Sequence, residues 1–525
     1  MMDRLPNPSP GRMSAKGRRT GRIAPLVLSF LLASCAAGGN VARTAPPPAP
    51  AAPGVVQITL LQMNDVYELT PVSGGREGGL ARVASLRKEL LAENPNTITL
   101  LAGDLFSPSA LGTAKVDGER LAGRQMVAVM NTLGLDFITF GNHEFDIPER
   151  SFRDRLKESG FTWIASNVFD RQGNRFPGVP DHRIVPIRGA GGETVRLGIF
   201  GLTIDSNRAG YVTYADPLDT ARAQVKALRP RVDILVALTH LSAGQDVALA
   251  QSVPGIDLIL GGHEHENMQF RRGAAYVPIC KADANARTVY IHRLRYDTAS
   301  RKLSIRSELR RVTGEIPEDA ETAAAVRRWQ ETGFAAFRKQ GFHPERIVAA
   351  IPVPLDGLEA SVRNRSTALT RLIAEAMKAS TPDIELAFYN SGSIRIDDLL
   401  PPGPLTEYDL IRILPFGGRI CTAEIPGDLL ARVLDQGTAN RGQGGFLQTA
   451  GVEHTDAGWT VNGNRLEEGR IYKAAVNDFL LSGREQNLGF FSEQAPGVRA
   501  DCPAGRDIRF VFRDHLKTVY GSRTP

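Results

Sequence analysis

Seven residues of metal-binding type follow short apolar runs in the first half of the chain. Val55–Met63 leads into Asn64-Asp65, and Thr97–Ala102 leads into Gly103-Asp104. Phe137–Phe140 leads into Gly141-Asn142-His143, Ile234–Thr239 ends at His240, and Asp257–Leu260 leads into Gly261-Gly262-His263-Glu264-His265. Taken singly, an Asp after a strand is usually a turn former, and a His is usually a surface or satisfied core residue. The joint pattern is different: two Asp, one Asn and four of the nine His stand at the ends of such runs. His182, His292, His343, His454 and His515 lack that context and read as structural. Oxygen from Asp and Asn with nitrogen from neutral imidazole suits Zn, Mn, Fe or Co better than Ca or Mg. There are donors enough for two ions. Two ions about 3.5–4 Å apart can share a carboxylate, generate hydroxide near neutral pH and clamp a transferring phosphoryl group. A His off the metal, held by an Asp, can donate to a leaving oxygen.

The elements that must position these residues follow from the runs themselves. Short stretches rich in Ile, Leu and Val read as buried strands. Side chains just past strand carboxyl ends project into one crevice in a layered αβ fold. Residues 55–312 alternate such runs with amphipathic stretches, and residues 345–522 form a second αβ body. Between them, within 313–344, the pattern predicts a connecting helix over 317–340. Pro317 suits the first helical position, Glu318 and Asp319 suit the first turn, and Gly341 stops it. Val326, Trp329, Gly333 and Phe337 would share a face.

The front of the chain explains its charge. Of the +6 formal charge, five units come from residues 1–35, where six Lys and Arg face the single Asp3. A nearly neutral remainder argues against nucleic-acid binding despite the basic pI of about 9.1. The basic start, the apolar run Ile23–Ser34 and Cys35 make an export signal over residues 1–34. Leu32-Ala33-Ser34-Cys35 resembles a bacterial lipobox, which implies a lipid-anchored Cys35 on the periplasmic side of the envelope. Ala36 resembles an outer-membrane rather than inner-membrane sorting signal. Residues 35–54, rich in Ala and Pro, read as a tether. Beyond the lipid, no membrane contact is expected. With Cys35 lipidated, Cys280, Cys421 and Cys502 remain; buried free thiols are the preferred reading, and Cys421–Cys502 is the one bridge within a single body.

Asn64-Asp65, Gly103-Asp104, GNHEFD at 141–146, Thr239-His240 and GGHEH at 261–265 resemble the calcineurin-type metallophosphoesterases, and more closely the periplasmic 5′-nucleotidase/UDP-sugar hydrolase family. The resemblance implies a four-layer αββα metallophosphoesterase domain joined by a helix to a smaller α/β substrate-recognition domain. It implies two divalent ions, with Asp104 bridging, Asp65 and His265 on ion one, and Asn142, His240 and His263 on ion two. His143, paired with Asp146, would stabilise the transition state and help the leaving group; Glu144 and Phe145 would be supports. A metal-held water would attack phosphorus in line. The chain departs from the family at Asp65-Val66-Tyr67, where the usual third residue is His. Tyr67 then either ligates iron as phenolate, yields its place to water, or leaves ion one weakened or lost.

The second body carries further likenesses. NSGSIR at 390–395, Leu414-Pro415-Phe416-Gly417-Gly418 and Asn477-Asp478-Phe479-Leu480 resemble the family's recognition segments. They imply that Phe416 and Phe479 sandwich a planar base, Arg365 and Arg395 bind phosphate or carboxylate, Asn390 reads a polar edge, and Glu485 stands in for an Asp. Ser391, Ser393 and Arg484 replace glycines of the pattern. The implied protein is a monomeric phosphomonoester hydrolase acting on a nucleotide-like small molecule. UDP-sugars, cyclic nucleotides and sugar phosphates stay open as substrates, as does a catalytically weak nucleotide-binding lipoprotein. Rotation about the connecting helix would close the two bodies on substrate.

Overall fold

The computed structural model describes residues 54–503 and 507–521. The expected signal, Cys35 and the tether up to residue 53 lie outside the described residues. Among the described residues, no helix is long and apolar enough to cross a membrane.

Two six-stranded sheets stack face to face in the first body. The first runs Lys302–Arg311, Thr288–Asp297, Val55–Met63, Thr97–Leu101, Phe137–Ile138, Thr162–Trp163. The second runs Met268–Arg272, Val277–Lys281, Leu258–Gly261, Ile234–His240, Thr194–Thr203, His182–Arg188. Both centres are parallel, so their strands are covered on both faces and read as continuous apolar runs. Val56, Ile58, Leu60 and Leu100 of one sheet meet Leu197, Val236, Leu238 and Leu260 of the other in a fully buried layer. Helices Leu80–Glu93 and Arg124–Leu133 cover the outer face of the first sheet. Helices Pro217–Leu228 and Ala243–Ser252 cover the second. The result is the helix–sheet–sheet–helix layering the resemblance implied.

The connecting helix spans Ala320–Lys339 and starts later than Pro317 suggests. Asp319 caps it, its carboxylate accepting the Thr322 N–H at 3.0 Å, so Pro317 and Glu318 lie before the first turn. Val326, Phe334 and Phe337 insert into the first body's core, with Trp329 partly buried beside them. The helix is therefore a packed element of the first body. In the second body, strands Leu447–Ala450, Leu386–Asn390, Ile471–Asn477, Ile420–Pro426 and Arg499–Asp501 form a five-stranded sheet. Helices Ala368–Lys378 and Ile508–Tyr520 pack on one face and Gly427–Ala439 on the other. The preference for free thiols is corrected here: Cys421, inside a strand, is bonded to Cys502, just beyond the edge strand that pairs with it, while Cys280 is free and buried.

Candidate metal centre

Within each sheet the strands that end in donors run parallel, so their carboxyl ends lie on one edge. Asp65 follows Val55–Met63, Asp104 follows Thr97–Leu101, and Asn142 and His143 follow Phe137–Ile138. His240 is the last residue of its strand, and His263 and His265 follow Leu258–Gly261. Both sheets thus contribute to one point. The turns there are tight. Asp65, Asp104, His263 and His265 have φ of 53°, 61°, 91° and 62°, uncommon for non-glycine residues and a mark of strain held at a site. Gly141 is forced by close approach, because a Cβ there would lie 2.0 Å from Asp104 Oδ1.

The candidate donors gather around Asp65 and Asp104. Ligand atoms of Asp65, Asp104 and His265 lie within 4.8 Å of one another. His240 Nε2 stands 3.3 Å from Asp104 Oδ2 and 3.8 Å from Asp65 Oδ1. His263 Nδ1 lies 3.1 Å from Asn142 Oδ1, and the His240 and His263 rings are 5.3 Å apart. Each carboxylate spends one oxygen on the scaffold and keeps the other for the centre. Asp65 Oδ2 accepts the His263 N–H and the Asn64 amide, and Asp104 Oδ1 accepts the His143 N–H. His240 Nδ1 faces the Ala102 carbonyl at 2.7 Å, so Nδ1 carries a proton and Nε2 is the atom turned to the two carboxylates. That Nε2 is buried without a hydrogen-bond partner. An orphaned buried nitrogen beside two buried carboxylates fits a cation.

The electrostatics agree. Burial pulls the His240 imidazole down, but Asp104 and Asp65 overcome it and hold the ring up at about 9. Burial likewise opposes His265, which Asp397 and its neighbours raise to about 10. Asp104 is held well below the carboxylate range, since His240 and His143 outweigh its burial. His263, buried beside His240, drops to about 3. The centre is short of positive charge and draws it from wherever it can. Tyr67 sits inside it: its hydroxyl is 2.9 Å from Asp104 Oδ2, 3.0 Å from His265 Nε2 and 3.3 Å from Asp65 Oδ1. Burial and the two carboxylates push its phenol well above 10.

Beside the centre, His143 Nδ1 is 2.6 Å from Asp146 Oδ2. Burial lowers the His143 pKa, and Asp146 and Asp104 raise it above the ordinary value. Of three supports, the resemblance implied only Glu144; Asn207 and Lys281 have no signature in the sequence. Asn207 donates to Asp146 Oδ1 at 2.7 Å and to the Asn142 carbonyl at 3.0 Å. Glu144 accepts the backbone N–H groups of Asp104, Leu105, Phe106 and Gly141. Lys281, buried, pairs with Asp246 and Glu264 and donates to the Leu241 and Gly262 carbonyls, tying the His240 turn to the His263–His265 loop.

The second body faces this centre. Arg363, Asn364 and Asp397 line a cavity of about 670 Å³ together with His263 and His265. Arg365 lies elsewhere: it is exposed and bonds Asp356 and Ser361 at 2.9 Å. Of the two arginines in the Arg363-Asn364-Arg365 segment, the structure turns Arg363 toward the centre. Asn390 ends a strand, and its Oδ1 accepts from Ser393 and Asn477 at 2.7 and 2.9 Å. Glu485 is buried near Asn390, and that burial raises its carboxyl. Phe416 and Phe479 are 45 % and 38 % exposed, unusual for phenylalanines, which frees both rings for contact. Arg395 lies over Phe416 at 5.8 Å and Arg484 over Phe479 at 5.6 Å.

Residues 58–267 match the model of the calcineurin-like phosphoesterases, and residues 347–492 match that of the 5′-nucleotidase C-terminal domain. A trifunctional nucleotide phosphoesterase protein of Bacillus subtilis is 27 % identical over 91 % of this chain, which spans only 35 % of that protein's length. A human 5′-nucleotidase is 25 % identical over 89 % of this chain and 90 % of its own. The crystal structure of a 5′-nucleotidase precursor from Thermus thermophilus superposes with a TM-score of 0.70 at 24 % identity, covering 89 % of this chain and 97 % of that one. This last likeness speaks for the fold.

Proposed function

The chain belongs to the calcineurin-like phosphoesterases that carry a 5′-nucleotidase C-terminal domain, and from that membership we propose that it hydrolyses the phosphomonoester of nucleotides. The observation that carries the reading is the cluster of Asp65, Asp104 and His265 with His240 against both carboxylates and the His143–Asp146 pair beside them. We assign Asp65, Asp104 and His265 to one divalent ion, and Asp104, Asn142, His240 and His263 to a second, with Zn, Mn, Co or Fe fitting the mixed donors. Such ions supply a hydroxide nucleophile near neutral pH and neutralise phosphoryl charge. Tyr67 crowds the first group, which we take as the weaker site.

The chain's own residues do the rest. Asp146 holds His143 by Nδ1, so Nε2 faces the reaction and can protonate the leaving oxygen. Asn207 and Ser107 hold Asp146 in turn. Arg395 and Arg363 offer paired N–H groups to phosphate. Phe416 and Phe479 offer two faces for a base, where stacking is worth about 1–3 kcal/mol per base. Asn390 and Glu485 supply polar contacts. Chemistry thus falls to residues 55–312 and recognition to 345–522, in a monomer tethered to the bacterial envelope through Cys35. Arg484 over Phe479 favours a second substrate class, phosphates with further negative charge such as UDP-sugars or sugar phosphates.

Phosphate released from nucleotides and sugar phosphates, and nucleoside monophosphate formed from UDP-sugars and cyclic nucleotides, by the full chain with Mn, Zn, Co or Fe, test this. Nucleoside monophosphates should be the best substrates. His143→Ala should cut kcat about 10²–10⁴-fold with metal content unchanged. Turnover of none of these substrates with any of the metals would leave only the binding role.

A further inference from the structure

His265 takes its outer hydrogen bond from the other body. Its Nδ1 lies 3.0 Å from Asp397 Oδ2, across 132 residues of sequence. Asp397 is gripped from other sides as well: Oδ2 faces Arg287 Nη2 at 3.4 Å and Oδ1 accepts the Glu359 N–H at 2.8 Å. It is buried, with φ of 39°, and a non-glycine residue persists there only where its surroundings over-determine it. The next residue, Asp398, holds the first body independently by accepting the Ser73 N–H and Oγ–H at 2.8 and 2.9 Å. Arg395 stands two residues before Asp397 on the same loop.

An imidazole that donates Nδ1–H to a carboxylate presents Nε2 in a fixed direction, and loss of that partner weakens metal affinity. The two anchored imidazoles of the centre differ in the source of the anchor. His240 uses the Ala102 carbonyl of its own body. His265, whose Nε2 stands 3.5 Å from Asp65 Oδ1, uses Asp397 of the second. The Asn142–His263 contact also lies wholly within the first body.

We infer that Asp397 is a positioning residue that makes metal holding by Asp65, Asp104 and His265 conditional on docking of the second body, while the Asn142–His240–His263 group holds metal without it. The inference rests on the metal reading proposed above. By linkage, whatever factor docking adds to metal affinity, metal adds to docking.

Mn²⁺ titration of the full chain, read by the electron paramagnetic resonance of free Mn²⁺, tests the first half. Wild-type protein should bind two ions. Asp397→Ala should weaken one by about 10–100-fold and leave the other unchanged, the retained ion showing that the variant is folded. Asp397→Asn keeps an acceptor for Nδ1–H and should fall between the two; it also serves if the Ala variant does not fold. The second half is read from spin labels on helices Leu80–Glu93 and Gly427–Ala439. Mn²⁺ should narrow their distance distribution in wild type and not in Asp397→Ala. Wild-type affinities for both ions in both variants, or a distribution that Mn²⁺ leaves unchanged in wild type, would overturn the inference. Wild-type protein that binds no Mn²⁺ overturns the metal reading itself, and this inference with it.

Discussion

Among the described residues Glu144 pairs with no Lys or Arg, yet its two carboxylate oxygens accept four backbone N–H groups, from Asp104, Leu105, Phe106 and Gly141. Those contacts hold the turn in which Asp104 takes its φ of 61° and offers Oδ2 to the centre. A glutamine has one accepting oxygen and would aim an NH₂ at the remaining N–H groups. Each buried N–H left unsatisfied costs about 1–3 kcal/mol. Glu144→Gln should therefore lower the midpoint of urea unfolding clearly and loosen metal binding through Asp104; an unchanged midpoint would show that the turn holds itself. At this scale the sequence was readable where residue type carries the chemistry. Asp, Asn and His at strand ends announce donors. Glu144 sits in plain view inside GNHEFD, but an acceptor of backbone N–H groups looks like any other Glu. Arg363 and Arg365 are two apart in one segment, and only the turn after Val362 decides which faces the cavity. Asn207 is 61 residues from Asp146, with nothing local to mark it.

At the scale of elements, the buried parallel strands were legible because they are apolar throughout, and their ends fix where the donors lie. The start of the connecting helix was not, because a Pro that suits a first turn also suits the loop before it, and the Asp319 cap decides between them. The antiparallel strand Thr288–Asp297 holds a residue that its own pattern hides. His292 is fully buried between Gln62 Oε1 at 3.0 Å and Ser307 Oγ at 2.8 Å, with no carboxylate against it among the described residues. Burial drops its pKa from 6.5 to about 3. The folded protein then keeps His292 neutral where the unfolded chain protonates it. Its contribution is complete above pH 6.5 and is lost progressively as pH falls towards 3, by about 1.4 kcal/mol per pH unit. Denaturant unfolding of wild type and His292→Gln at pH 7, 5.5 and 4.5 checks this. The stability difference between them should shrink, or invert, by that slope below 6.5; a difference independent of pH would mean the ring titrates alike in the folded and unfolded chain.

The whole molecule is held by contacts that no local pattern announces, because they join residues hundreds of positions apart. Arg412, buried on helix Glu407–Ile413 of the second body, reaches Glu68 of the first body at 3.5 Å and Asp398 of its own at 3.2 Å. Tyr408, one turn earlier, contacts Glu68 and packs its ring 4.8 Å from Phe334 on the connecting helix. One guanidinium thus separates two buried carboxylates across the seam, and Asp398 is also the residue that grips Ser73. Removing one partner of such a cluster costs about 3–5 kcal/mol, because the remaining charges stay buried and unpaired. Arg412→Met keeps the bulk and removes the charge, so the penalty should fall on the seam, where the neighbouring Ile411 also enters the first body's core. Small-angle scattering should show a larger radius of gyration, with far-ultraviolet circular dichroism unchanged. Adding Glu68→Gln and Asp398→Asn to Arg412→Met removes the orphaned charges and should recover much of the compact form. If the single variant stays as compact as wild type, the apolar contact of Tyr408 with Phe334 is what closes the seam, and the ion cluster merely lies within it.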